Sequence, residues 1–152
     1  MGTTTDGQLC YGVIISDDPP WADEKYDHDI DDWWIGVSDY VNPVEYPFTE
    51  DGEYKDGFIP GDPRIDEWCK NRYEWHKSNP LPVELVNYCS CDYAEYILAV
   101  RGTVSTASRG YPVEVNSLLV DADATEMLKS FCAKYFVETA DEPKWYLSSY
   151  WG

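Results

Sequence analysis

The order of apolar and polar positions divides the chain into stretches of different period. Leu9 to Ser16 (LCYGVIIS) is a near-continuous run of β-formers closed by Asp17-Asp18-Pro19-Pro20, which predicts a strand ended by a turn. Residues 1–8 before it read as a frayed tail. The period then becomes helical. Ile30, Trp33, Trp34, Val37, Tyr40 and Val41 form one stripe over 29–41, stopped by Asn42-Pro43. Asp29, Asp31 and Asp32 fall in its first turn, where the helix dipole favours acids. Residues 42–62 lose all periodicity to proline and glycine and read as a long loop, pinned by Tyr46, Phe48, Tyr54 and Phe58.

A second helix opens at Asp62-Pro63, an acid at the N-cap and proline in the first turn, and runs to about Lys77. Its Ile65, Trp68, Cys69, Arg72, Trp75 and His76 share one side. Residues 83–101 then predict a hairpin, VELVNYCS and YAEYILAVR about a turn near Cys91-Asp92. The second of these strands is apolar on both faces, as at a sheet centre. Gly102 to Gly110 reads as a polar loop and Tyr111 to Leu119 as a further strand. A helix from Asp123, with Glu126 completing a capping box, carries Leu128, Phe131, Cys132 and Tyr135. Residues 144–151 (KWYLSSYW) end the pattern as a strand. The implied fold is α+β: one domain over 1–152, with a mostly antiparallel sheet of about five strands and two to three helices packed on one side.

Charge changes this picture from one of fold to one of function. The net charge is −18. Residues 1–68 hold eighteen acids against Lys25, Lys55 and Arg64, while the remainder is nearly balanced. Such a field repels nucleic acid and anionic membrane and attracts basic protein surfaces. No apolar run approaches the ~20 residues of a membrane span. With an odd five cysteines and no secretory pattern at its start, the chain reads as a cytoplasmic protein with reduced thiols.

Catalytic and metal signatures are weak. Asp27, His28, Asp29, Asp31 and Asp32 offer legitimate ligands, but without the turn glycine and closing Glu of a calcium loop. Cys89-Ser90-Cys91 lacks the second pair that a zinc site wants. A Cys nucleophile paired with His76 has no local support, and His76 reads as a packed histidine; Cys69 and Cys132 lie on helix faces that carry core residues and read as small buried hydrophobes. No glycine-rich phosphate loop is present; GTVSTASRG lacks the Lys-Ser/Thr ending. No metal or other cofactor is expected, and the chain reads as a binding protein rather than an enzyme.

The sharpest signal is the stretch DDPPWADEKYDHDIDDWW, residues 17–34. Asp17, Asp18, Asp23, Glu24, Asp27, Asp29, Asp31 and Asp32 face a single Lys25, with Trp21 and Tyr26 among them as apolar anchors. Trp33 and Trp34 are expected to face the core. The plain alternative is a solvated face kept for solubility. Against it stand the one-sidedness of the charge and the interleaved aromatics, which are frequent interface anchors. In size, charge and lack of a catalytic motif, the chain resembles at the level of class the small acidic phage proteins that disarm bacterial defence nucleases, the anti-CRISPR and anti-restriction nucleic-acid mimics. That resemblance implies carboxylates standing in for phosphates in the groove of a nuclease or other nucleic-acid-binding effector. An immunity protein against a nuclease toxin fits the same pattern. A small enzyme or ligand-binding domain with a pocket between sheet and helices is a further alternative, and an assembly protein that associates through its aromatics is another.

Overall fold

The structure is a computed structural model and describes residues 5–90 and 94–151. They form an α+β protein in the order β1 (Thr5–Ile14), α1 (Ile30–Gly36), α2 (Pro63–Ser78), β2 (Val83–Ser90), β3 (Ala94–Val100), β4 (Ser105–Ala107), α3 (Ala122–Tyr135) and β5 (Lys144–Trp151). Two compact units result. One holds residues up to Trp33 and from Pro82 onward, and the other holds Trp34–Leu81.

The first unit contains the whole sheet, in the order β3-β2-β5-β1-β4. β1 is its spine. One edge of β1 pairs antiparallel with β5 from Thr5↔Trp151 to Gly12↔Lys144. The other edge takes β4 at Gly7–Leu9 and then β3 at Gly12–Ile14. β2 pairs antiparallel with β3 and, at Cys89 and Ser90, parallel with β5. The sheet is therefore mixed, and the β1–β3 pairing closes β1, β3, β2 and β5 into a ring.

Strand alternation places Cys10, Val86, Ile97 and Ala99 together in one buried cluster, flanked by Ile14, Tyr88, Val104 and Tyr146. Gly12 sits where the ring closes. A Cβ there would lie 2.8 Å from Ala99 Cα and closer still to the Leu98 carbonyl oxygen, so a side chain has no room. Val13 and Leu98, on the opposite face, are buried, as are Leu128, Phe131 and Cys132 of α3, which packs on β3.

Four expectations from sequence are corrected here. Residues 5–8 are not frayed but belong to β1, because β5 and β4 supply their partners; residues 1–4 lie outside the described residues, as does the hairpin turn at 91–93. The polar 102–110 loop contains β4, a three-residue strand made by pairing rather than by composition. Tyr111–Leu119 joins no strand. It is an extended strap, exposed along its length and fixed where Trp145 Nε1–H donates to the Leu118 carbonyl at 2.8 Å. The α3 cap is Asp121, whose carboxylate accepts from the Asp123 N–H at 3.1 Å, two residues before the expected box.

In the second unit, α2 begins as the sequence implies, with Asp62 accepting from the Arg64 N–H at 2.9 Å. The Arg64 side chain also bonds Asp62, which holds the Asp62 carboxyl below its usual pKa. The long loop is pinned by aromatics. Tyr46 packs on Trp68 (5.2 Å between centroids), Phe48 bridges Tyr54, and buried Phe58 lies under the Arg64 guanidinium at 4.1 Å. Asn42 Nδ2–H donates to the Trp68 carbonyl at 3.0 Å. Cys69, expected to be buried, is exposed.

Candidate functional site

The acidic stretch leaves the sheet at the end of β1, where the Ile15 N–H donates to the Tyr96 carbonyl at 3.2 Å and the Ser16 N–H to Glu138 at 3.0 Å. Pro19 and Pro20 then force a tight turn, and 3-10 turns follow at Pro20–Ala22 and Glu24–Tyr26. Asp27 and His28 both adopt left-handed backbone, with φ of 48° and 58°. Asp tolerates this region better than most residues, which lets the chain reverse without glycine. α1 begins immediately afterwards.

Three of the eight acids hold this path together. Asp17 accepts from the Asp18 N–H at 2.8 Å, and Asp23 accepts from the Lys25 N–H at 2.9 Å. Asp29 Oδ1 accepts from the N–H groups of Asp31 (2.7 Å) and Asp32 (3.0 Å), capping α1. The carboxylates therefore serve as turn-formers as well as charges. α1 itself ends at Gly36, short of the expected residue 41, and Val37 and Val41 are exposed. Helix-disfavouring Gly36 cuts the stripe before its last three positions can be used.

Beneath the acids lies an aromatic footing. Trp21 and Trp33 are each only 2% exposed and meet edge-on at 5.3 Å. Trp33 also meets Tyr135 at 5.0 Å and Phe131 at 6.1 Å, both from the α3 region. Such pairs add roughly 0.5–1.5 kcal/mol each beyond the area they bury. Trp33 thus faces the core as the sequence implies. Trp34 is half-buried in the second unit, its Nε1–H donating to the Asn79 carbonyl at 3.0 Å. Trp21 corrects an expectation. Read as an exposed anchor, it is instead a rivet that fastens the stretch to the body.

Asp17, Asp18, Asp23, Glu24, Asp27, Asp29 and Asp31 are exposed, while Asp32 and Tyr26 are half-buried. Tyr26 lies under the Lys25 ammonium at 4.9 Å, so the only base of the stretch is folded onto its own ring. The result is a rim of carboxylates on a fixed backbone. Beside it opens a cleft of about 370 Å³. Asp17, Asp18, Glu95 and His28 supply its polar lining, Trp21 and Tyr96 its aromatic one, and Ile15 and Leu85 part of its apolar surface. Glu95 and Tyr96 carry no local signal in the sequence. Only the pairing of β3 with β1, eighty residues away, brings them to the rim.

Other candidate chemistry is dispersed. Burial pushes the Cys10 and Cys132 thiols up to about 11, so neither is a ready nucleophile at neutral pH. His76 stacks edge-on against Trp75 at 5.0 Å, as a packed histidine does. Cys91 lies outside the described residues. Among the described residues, no group of three or more His, Cys, Asp or Glu side chains is placed to hold a metal ion, and no helix is long and apolar enough to cross a membrane. The chain matches no protein-family model, no curated protein and no solved structure.

Proposed function

We propose that this protein is a non-enzymatic acidic binding protein that occludes the basic groove of a nucleic-acid-handling protein, with a nuclease as the leading target. The observation that carries the reading is the rim. Seven exposed carboxylates lie within sixteen residues on a backbone fixed by its own caps and riveted by Trp21 and Trp33. A rigid array of this kind loses little freedom on binding, so more of the electrostatic attraction appears as affinity. The cleft beside it suits the stem and cationic head of an arginine or lysine, with aromatic surface for the stem and Asp17, Asp18 and Glu95 for the charge. The net charge of −18 steers encounter within about a Debye length, roughly 8–10 Å at physiological salt and farther at low salt. Free thiols at Cys10, Cys69, Cys89 and Cys132 suit a reducing cytoplasm, where such targets act.

Asp18, Glu24, Asp27 and Asp31 are the residues to reverse, because their carboxylates are not the turn-forming acceptors at Asp17, Asp23 and Asp29. Immobilised protein is used to capture partners from lysate at low salt, and captured proteins are identified and assayed for nucleic-acid binding. The expected result is a basic nucleic-acid-binding protein whose substrate is displaced. Its capture falls at least about tenfold when the four acids become lysine, a loss of ~1.4 kcal/mol. Capture unchanged by the reversal, or a partner that still binds nucleic acid freely in the complex, rejects the proposal.

A further inference from the structure

The outer face of β1 and β5 has a different character from the rim. Register and alternation place Gly7, Leu9 and Tyr11 of β1 on the same face as Ser149, Leu147 and Trp145 of β5. α3 and the segment after it reach Tyr11, whose hydroxyl meets Thr125 Oγ1 at 3.0 Å and donates to the Pro143 carbonyl at 3.3 Å. Beyond Tyr11 the cover stops. Leu147 is 82% exposed and Trp151 48%. The 111–119 strap borders this area with Val113 and Val115, each nearly half exposed. Between strap and sheet runs a groove of about 210 Å³, lined by Leu9, Ala107, Val113, Val115 and Leu147 together with small polar residues of β1 and β4.

Two properties identify what fits here. The first is charge. No residue lining the groove is ionisable, and from Tyr96 to Val120 the chain holds a single acid, Glu114, in a protein of net charge −18. A basic partner finds no carboxylate among the groove-lining residues, Glu114 standing on the strap between Val113 and Val115. A second copy of the same chain, repelled elsewhere by its own field, meets no carboxylate in that lining. The second is shape. Leu147 is 82% exposed and forms part of the groove wall, so a two-fold axis beside it sets the Leu147 of each copy into the groove of the other, against that copy's own Leu147. β4 adds an open sheet edge at the margin of the same face, since among the described residues it pairs only with β1.

We infer that the outer β1–β5 face, with Leu147 as the knob and the strap-lined groove as the hole, is a self-association surface that pairs two copies of this chain. This inference is independent of the rim and its target. It carries a sign that the rim cannot share: salt screens the repulsion between two chains of −18 and so strengthens the pairing, whereas it weakens attraction to a basic partner.

The test is sedimentation velocity on the full chain from 1 to 200 µM at low and high salt, with Leu147→Glu and Leu147→Ala variants checked for fold by circular dichroism. The expected result is a dimer whose Kd falls as salt rises. Leu147→Ala raises Kd about thirtyfold or more, as loss of a central anchor does, and Leu147→Glu abolishes the dimer. Because Leu147 is exposed in the single chain, both variants retain its circular dichroism spectrum. Should a variant unfold, Val115→Glu from the opposite wall of the groove replaces it. A chain that stays monomeric at 200 µM and high salt overturns the inference, and so does a dimer that folded groove variants leave intact.

Discussion

The rim and the outer sheet face show two ways for one small protein to display a surface. The rim is charged, narrow and built of turns, and it is rigid because Trp21 and Trp33 are buried under it. The groove on the sheet face is lined by no ionisable residue, and its floor is held by β1 and β5, paired along eight residues. Aromatics mark both regions in the sequence, yet their roles are opposite. At the rim, Trp21 and Trp33 point inward and leave display to the carboxylates. On the sheet, Leu147 and Trp151 point outward with no carboxylate beside them. Surface tryptophan content alone therefore says little about which region contacts a partner. What decides is whether the rings are spent on fastening or left for contact.

The largest expected break in this comparison comes from the footing of the rim. Trp33→Ala removes the ring that joins Trp21, Phe131 and Tyr135, and costs about 3–5 kcal/mol in urea unfolding. The variant that remains folded should lose rim-dependent binding ahead of self-association, since the sheet pairing does not pass through Trp33. Equal loss of both would show that the two surfaces are not separately supported.

Alkaline pH acts from the other side. Cys10 lies in the ring and Cys132 on α3, and burial raises both thiols from 9.0 to about 11. Burial also raises the Tyr88 hydroxyl. In the unfolded chain the thiols lose their protons near pH 9, while in the folded chain they keep them until about 11. The unfolded state thus binds fewer protons across that window, and stability falls as pH rises through it. The loss by pH 10 is on the order of 2 kcal/mol, read as a falling urea midpoint. Cys10→Ala should flatten the slope, and a slope unaltered by that change would place the titrating group elsewhere.

The smallest effect belongs to the caps. Asp29→Ala removes the acceptor of the Asp31 and Asp32 N–H groups and costs about 1 kcal/mol. Asp29→Asn keeps a capping oxygen without the charge. Rim binding that survives in Asn but falls in Ala assigns Asp29 to shape. The reverse dependence on charge assigns it to contact.

Much of the fold is legible from local signals. Asp62-Pro63 announces α2, the VELVNYCS run marks β2, and Leu128, Phe131 and Cys132 mark the buried face of α3. What escapes the sequence depends on partners far along the chain. β4 is a strand only because Gly7–Leu9 pairs with it. The apolar alternation of Val113 and Val115 fits a ladder or a strap laid over a sheet equally well, and here it is the strap. Acids on both sides of Trp21 suggest exposure, but a 3-10 turn after two prolines rotates its ring inward. At the rim, the carboxylates are readable from the sequence. Their companions Glu95 and Tyr96 arrive only through tertiary pairing.

The pairing of β1 with β5 has a consequence for how the protein is made. Among the described strands, β1 leaves the ribosome before the others, and its main partner β5 comes after them. Until β5 has been synthesised, the β1 spine lacks its partner along the edge it shares with that strand. Such a topology closes its longest loop before it gains most of its contacts, which slows folding and leaves an unpaired edge exposed to other nascent chains. Self-repulsion from the acids around that strand opposes such encounters, so the charge proposed to draw the finished protein to a basic target would also guard the unfinished one.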